Sequence, residues 1–302
     1  MAALSQTRAY VALLLVVSLW GSYPALTKLA LPDLPPFILA LLRCLLASAF
    51  LVVLLLRRGL GDVRALTLED MRAFAVLGFF GIVISTAFNY LAIDLTTASN
   101  AVILQASAPV MVAVGARLHL GERLSGQQWL GVGCSSAGVL LVVTRGQWAA
   151  LRFGNLHAGD FVVLFSLSGW SAYTIYGKRV LAAHSPALAT TLSCVLGTLM
   201  LVPLTVFTAP LFRPPHFSSA LAWGVVLYQA ILGALAHIWW YEGVRAVGPS
   251  RSAVFMNFQP VVGVLLAAVL LRETIGGAQL VGGLAVLIGV ALTTRHKEKA
   301  GD

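Results

Sequence analysis

Ten apolar runs, each about as long as a bilayer is thick, leave this chain few ways to fold. A hydrocarbon core of about 30 Å is crossed by roughly 20 residues of helix. The first five runs are Ala9–Ala30, Phe37–Leu56, Ala73–Ile93, Ala101–Leu120 and Leu124–Val143. The second five are Asp160–Gly177, Ala187–Phe207, Ala220–Tyr241, Ser252–Leu271 and Ile275–Leu292. Helix breakers stand at the joints: Pro32, Pro35 and Pro36, then Pro186, then Pro210, Pro214 and Pro215, then Pro249. In lipid the backbone must satisfy itself, which leaves helices or closed barrels. The alternating pattern of a barrel strand is missing, so the expected class is an all-α integral membrane protein.

Composition agrees. Of 302 residues, 59% are apolar and 10% charged, with a mean hydropathy of +0.90. A soluble domain carries about 25% charged residues, so a soluble enzyme, a coiled coil and a disordered chain are excluded. A net charge of +9 would suggest nucleic acid in a soluble protein. Here the basic residues stand singly or in pairs between apolar runs, so no nucleic-acid partner is expected and the lipid bilayer is. Cys44, Cys134 and Cys194 lie inside apolar runs without metal spacing and read as small apolar residues. The first run has only Arg8 before it and no small-residue cleavage site, and nine runs follow; it reads as a retained helix rather than a signal peptide.

Positive charge sets the orientation. With the N-terminus cytoplasmic, one side holds Arg8, Arg57, Arg58, Arg64, Arg72, Arg117, Arg123, Lys178, Arg179, Arg245, Arg251, Arg295, Lys297 and Lys299. The other side holds Lys28, Arg145, Arg152, Arg213 and Arg272, and Arg43 lies within a span. This asymmetry places both termini in the cytoplasm, and it suits an even number of spans.

The chain also repeats itself. A shift of 150 residues lays Trp20, Tyr23 and Lys28 on Trp170, Tyr173 and Lys178, Pro36 on Pro186, and Cys44 on Cys194. A shift of 151 lays Tyr90, Ser99, Pro109, Glu122, Gly126, Gln128, Gly131 and Gly138 on Tyr241, Ser250, Pro260, Glu273, Gly277, Gln279, Gly282 and Gly289. One such match is cheap; an ordered set at a nearly constant offset marks a duplicated unit. The expected units are 1–147 and 155–296, with 297–302 as a cytoplasmic tail. Five spans per unit is odd, so the second unit crosses the membrane in the opposite sense. Ten transmembrane helices then form two inverted five-helix repeats around a central cavity, an arrangement that supports alternating access.

Several features together resemble the EamA-type branch of the drug/metabolite transporter superfamily. They are the two five-span repeats, the run Arg43–Ser48 (RCLLAS), the pairs Pro109…Glu122 and Pro260…Glu273, and the Gly-rich fifth and tenth spans. Within that branch, length and the Trp/Tyr pattern are similar to the YddG-type aromatic amino-acid exporters. The resemblance implies a ten-helix transporter with a central cavity and no cofactor.

Trp20 and Tyr23, with Trp170 and Tyr173 as repeat partners, sit near the middle of their spans, away from the ends where aromatic belts form. They are expected to line one aromatic pocket, with helix packing as the alternative. Asn89 and Tyr90 share a helical face with Thr86, and Trp240 and Tyr241 share the equivalent face with His237. An unpaired polar side chain in hydrocarbon is costly, so these faces should meet a cavity or another helix. Gln105 lies near Pro109, and Asn257 and Gln259 near Pro260; interior prolines there would kink the helix, free a carbonyl and form a hinge. Glu122 and Glu273 precede Gly-rich helices, where a carboxylate meets free amides or acts as a gate. Arg43 has three readings: partner of a substrate carboxylate, snorkelling cation, or a bond to helix ends. Its repeat partner is Ser193, so the charge is not a symmetric feature; structure is preferred, because the family it resembles often keeps Arg here with small neighbours.

No carboxylate falls deep in a span, so facilitated export is expected; apolar walls with a few amides and rings suit a neutral amino acid or related small metabolite, and the resemblance implies aromatic amino acids among them. His237 is the one midplane group suited to titrate. A proton-coupled multidrug or metabolite exporter is the nearest alternative, and a passive channel another. A membrane enzyme is disfavoured, because no nucleophile–base pair, metal-binding motif or phosphate loop occurs. Ten spans enclose a cavity within one chain, so a monomer suffices.

Overall fold

The computed structural model describes residues 6–58, 66–120, 125–146, 157–236, 239, 255 and 258–294. Among the described residues all regular structure is helical. The first half holds α1 (Gln6–Ala30), α2 (Pro36–Arg58), α3 (Leu68–Leu95), α4 (Ala98–Gln105), α5 (Ala108–Leu120) and α6 (Gly126–Thr144). The second holds α7 (Ala158–Ala183), α8 (Pro186–Thr208), α9 (Ala220–Ala236), α10 (Gln259–Leu271) and α11 (Gly277–Thr294).

Local chemistry starts these helices where the sequence suggests. Thr67 accepts from Asp70 N and Asp70 returns the bond, a capping box that opens α3. Ser125 and Gln128 do the same for α6. Ser185 caps α8 with Pro186 in its first turn, where a missing N–H costs nothing. Four helical stretches are long and apolar enough to cross a bilayer unaided: Tyr10–Ala30, Pro36–Arg57, Leu68–Leu95 and Ala187–Leu211. Ala220–Ala236, Gln259–Leu271 and Gly277–Leu292 are shorter apolar helices. Large apolar side chains face outward, among them Leu118 (74% exposed) and Phe207 (81%). Such a surface suits lipid.

The main packing pairs are α6 with α11, α2 with α8, α1 with α10, α5 with α7, α3 with α7, α1 with α9, α3 with α8, and α2 with α9. Exchanging each helix for its counterpart about 150 residues away returns these eight pairs, but α2 with α3 and α4 with α10 pack as extensively and have no counterpart pair among the described residues. The α6–α11 crossing shows how close the approach is. A Cβ added at Gly138 would lie 2.6 Å from Gly282 O, and one at Gly289 would lie 2.6 Å from Gly131 O. Gly138, Gly282 and Gly289 therefore serve helix contact, whereas a Cβ at Gly126, Gly133 or Gly277 would meet nothing within 4 Å.

Two local features depart from the sequence reading. The fourth run is two helices: Ser107 N bonds to Leu104 O at 3.0 Å and the chain turns before α5 starts. Pro109 thus lies in the first turn of α5 and Pro260 in the first turn of α10. Neither kinks a continuous helix; each opens a new one, where proline is tolerated. The third and eighth runs are not uniform α-helix either. Phe79–Ala87 and Tyr228–Leu232 are wound as π-helix, a winding that recurs at functional sites.

Candidate functional site

A cavity of about 270 Å³ lies between α1, α2, α3, α7, α8 and α9, with the α4–α5 break and the start of α10 also on its wall. Trp20, Tyr23, Asn89, Tyr90, Gln105, Trp170 and Tyr173 all line it, as does Gln259. The two repeat-related aromatic pairs therefore reach one space. Trp170 and Tyr173 stack with ring centroids 5.8 Å apart at 30°. The π-wound segment of α3 brings its backbone against this pair, since a Cβ at Gly81 would lie 2.7 Å from the Tyr173 ring. Gln105 Nε2 donates to Asn89 Oδ1 at 3.1 Å, which joins the helix break to α3 at the cavity wall. His237, Trp240, Tyr241, Asn257 and Glu122 lie outside the described residues.

Tyr90 is 5% exposed, and its hydroxyl donates to Gln229 Oε1. Gln229 is fully buried. It donates through Nε2 to Thr27 Oγ1 at 2.9 Å, and its backbone carbonyl accepts from Tyr23 OH at 3.3 Å. Ser22 Oγ lies 2.9 Å from Tyr228 OH. This network ties α1, α3 and α9 together beside the cavity. Sequence reasoning missed Gln229. The polar residue inside the apolar stretch Ala220–Ala236 was the available signal, because a lone amide in hydrocarbon needs partners.

The third element of the repeated Trp–Tyr–Lys motif has a separate task. Lys28 Nζ donates to the carbonyls of Ile93 (2.7 Å), Asp94 (3.1 Å) and Thr96 (2.7 Å). It neutralises the open C-terminal end of α3, whose carbonyls have no partner within the helix. Beside it in space, Glu273 accepts from Ala98 N at 2.8 Å and Ser99 N at 2.9 Å, and from Ser99 Oγ at 2.7 Å. A carboxylate meeting helix-terminal amides is the arrangement anticipated, but the helix is α4 from the other half of the chain, not the adjacent α11. Asp160 stands nearby, bonded to Thr96 Oγ1 and to Asn100 Nδ2 (3.3 Å). Asn100 Oδ1 in turn accepts from Gln279 Nε2 at 3.3 Å. These polar groups lie past Thr27 and Ile93, which end the cavity on that side. Asp160 is fully buried, so a hidden carboxylate exists, at a helix end instead of the midplane.

Arg43 also lines the cavity. Its Nε has no hydrogen-bond partner, and its Nη1 approaches Cys44 Sγ at 3.9 Å. Among the described residues no group of three or more His, Cys, Asp or Glu is placed to hold a metal.

The model of the EamA-like transporter family matches residues 7–144 and again 157–295. The chain is 29% identical to the uncharacterized transporter YetK of Bacillus subtilis, over 98% of this chain and 89% of that one. It is 29% identical to a probable amino-acid metabolite efflux pump of Salmonella typhimurium, over 92% and 91% of the two chains. The uncharacterized transporter YyaM of Bacillus subtilis is 26% identical over 82% and 80%. A solved crystal structure shares the fold at a TM-score of 0.63 and 20% identity, over 96% of this chain and 98% of the other.

Proposed function

Because this chain belongs to the EamA-like transporter family, a family of membrane transporters, we propose that it exports neutral amino acids, chiefly aromatic ones, or related small metabolites. The observation that carries this reading is the convergence of Trp20, Tyr23, Trp170 and Tyr173 on one cavity. Aromatic faces stack on rings and attract an ammonium group. A cavity of about 270 Å³ lies just below the roughly 300–1,000 Å³ of small-molecule sites, which suits an amino acid better than a nucleotide sugar. Similarity to a probable amino-acid metabolite efflux pump supports the same class.

The mechanism we propose is alternating access between two inverted five-helix repeats in a monomer, with both termini cytoplasmic in a bacterial inner membrane. The double family match and the partial exchange symmetry of the helix contacts support it. So do the broken helix at Gln105–Ala108 and the helix start at Gln259, since discontinuous helices form substrate sites in such carriers. Glu122, Pro109, Pro260 and Glu273 are the hinge and gate positions of this scheme, and His237, Trp240, Tyr241 and Asn257 complete its substrate-binding set.

Counterflow in proteoliposomes tests it. Vesicles preloaded with unlabelled phenylalanine are expected to take up the labelled amino acid saturably without an ion gradient. Trp20→Ala or Trp170→Ala should weaken apparent affinity about tenfold, since an aromatic contact of roughly 1 kcal/mol beyond its buried area is lost with that area. Absence of uptake for phenylalanine, tryptophan, threonine and methionine would overturn the amino-acid reading.

The buried carboxylate of Asp160 favours one second reading, a proton-coupled multidrug or metabolite exporter of the same fold. The facilitated reading expects the same initial rate with and without an imposed pH gradient. A gradient-driven rate that Asp160→Asn abolishes would establish coupling instead.

A further inference from the structure

Arg43 lies seven residues into α2, about 10 Å along the helix from its first residue. Its side chain lines the cavity. The titratable groups around it are Tyr90, Cys44, Tyr23 and Cys194, none of them a carboxylate, and among the described residues it makes no ion pair. The α9 backbone closes the far side, where a Cβ at Gly233 would lie 3.5 Å from Arg43 Nη2 and 2.4 Å from Tyr23 OH. A cation withdrawn from water is costly unless an anion and hydrogen bonds compensate it. Tyr23 and Tyr90 donate to Gln229, the Tyr23 oxygen gives the guanidinium a neutral acceptor, and Nε donates to none of the described residues. Among the described residues this planar, forked donor at the cavity wall has no anion to match it.

The position is also polarised. Ser193, the repeat counterpart of Arg43, lines the same cavity. Equivalent positions on equivalent helices face the same space, and one of them carries the charge. A substrate with a single anionic end would therefore be held in one orientation, with its apolar part towards the aromatic pairs.

We propose that Arg43 is the anchor for a substrate carboxylate, so that the cavity selects small carboxylates with an apolar or aromatic body. This rests on the reading of the chain as a carrier of small metabolites and narrows its substrate class. A guanidinium fork fits a carboxylate through two parallel hydrogen bonds, which lysine cannot reproduce.

The test uses the purified full chain and quenching of its tryptophan fluorescence with two matched pairs: phenylalanine against phenylalaninamide, and phenylacetate against phenylacetamide. In each pair the acid is expected to bind about ten- to a hundredfold more tightly, the range of a charge-assisted contact. In Arg43→Met that preference should fall below about threefold, and in Arg43→Lys it should drop partway. If Arg43→Met does not fold, Arg43→Lys decides, and an unchanged preference there overturns the anchor. Equal binding of acid and amide by the native chain overturns it too, while leaving the carrier reading intact. Acid preference in the phenylacetate pair without phenylalanine binding keeps the anchor and overturns the amino-acid reading. No binding by either pair overturns both.

Discussion

Gly138→Leu is expected to abolish the folded protein, and Gly133→Leu, five residues earlier on the same helix, to leave it intact. The contrast comes from what each Cβ would meet. At Gly138 it would lie 2.6 Å from Gly282 O and 2.8 Å from Val286 N, both backbone atoms of α11. Backbone cannot rotate away as a side chain can, so α6 and α11 would have to separate along their whole contact. Overpacking typically costs about 1–3 kcal/mol, occasionally more; four added carbons against backbone belong at or above the upper end. At Gly133 nothing lies within 4 Å, so the new side chain projects into open space. Size-exclusion chromatography in detergent and thermal unfolding would separate the two variants. Equal behaviour would refute the crossing geometry.

Glu273→Gln should produce the second large effect. The carboxylate receives three hydrogen bonds from the first turn of α4, each charge-assisted and helped by the positive end of the helix dipole. Glutamine keeps the shape but offers one acceptor oxygen and places an NH2 group against a donor. The expected loss is about 3 kcal/mol. It should appear as a melting point several degrees lower, at roughly 2–4 °C per kcal/mol for a chain of this size. Glu273→Asp, one methylene shorter, should lose part of it. A melting point unchanged in Glu273→Gln would show that the clamp contributes nothing.

Much of the candidate site was legible before any coordinates. Trp20 and Tyr23 stood out because Trp170 and Tyr173 repeat them, and all four reach the cavity. Asn89, Tyr90 and Gln105 were legible as polar groups in hydrocarbon, which must find a cavity or a partner. The division of labour was not legible. Lys28 belongs to the same repeated motif as Trp20, yet it caps α3 and does not line the cavity. Tyr90 faces the cavity but gives its proton to Gln229, 139 residues away. Pro109 and Pro260 read as kinks within helices because their flanks are uniformly apolar. Only the backbone bonds around Ser107 and Phe258 show that new helices begin there.

By itself the sequence determined the solvent, the helical class and the duplication of the chain. Each follows from run lengths, composition and self-similarity, which need no knowledge of neighbours; the membrane-transport character came from the resemblance of its motifs to a transporter family. The tertiary structure decided which side of each helix meets the cavity, which helix end Glu273 closes, and that Arg43 faces a space without an anion among the described residues. The physical reason is the solvent itself. A helix in water shows its buried side by a contrast between apolar and polar residues. In lipid the outer and inner faces are both apolar, the contrast vanishes, and only close packing fixes how each helix is turned.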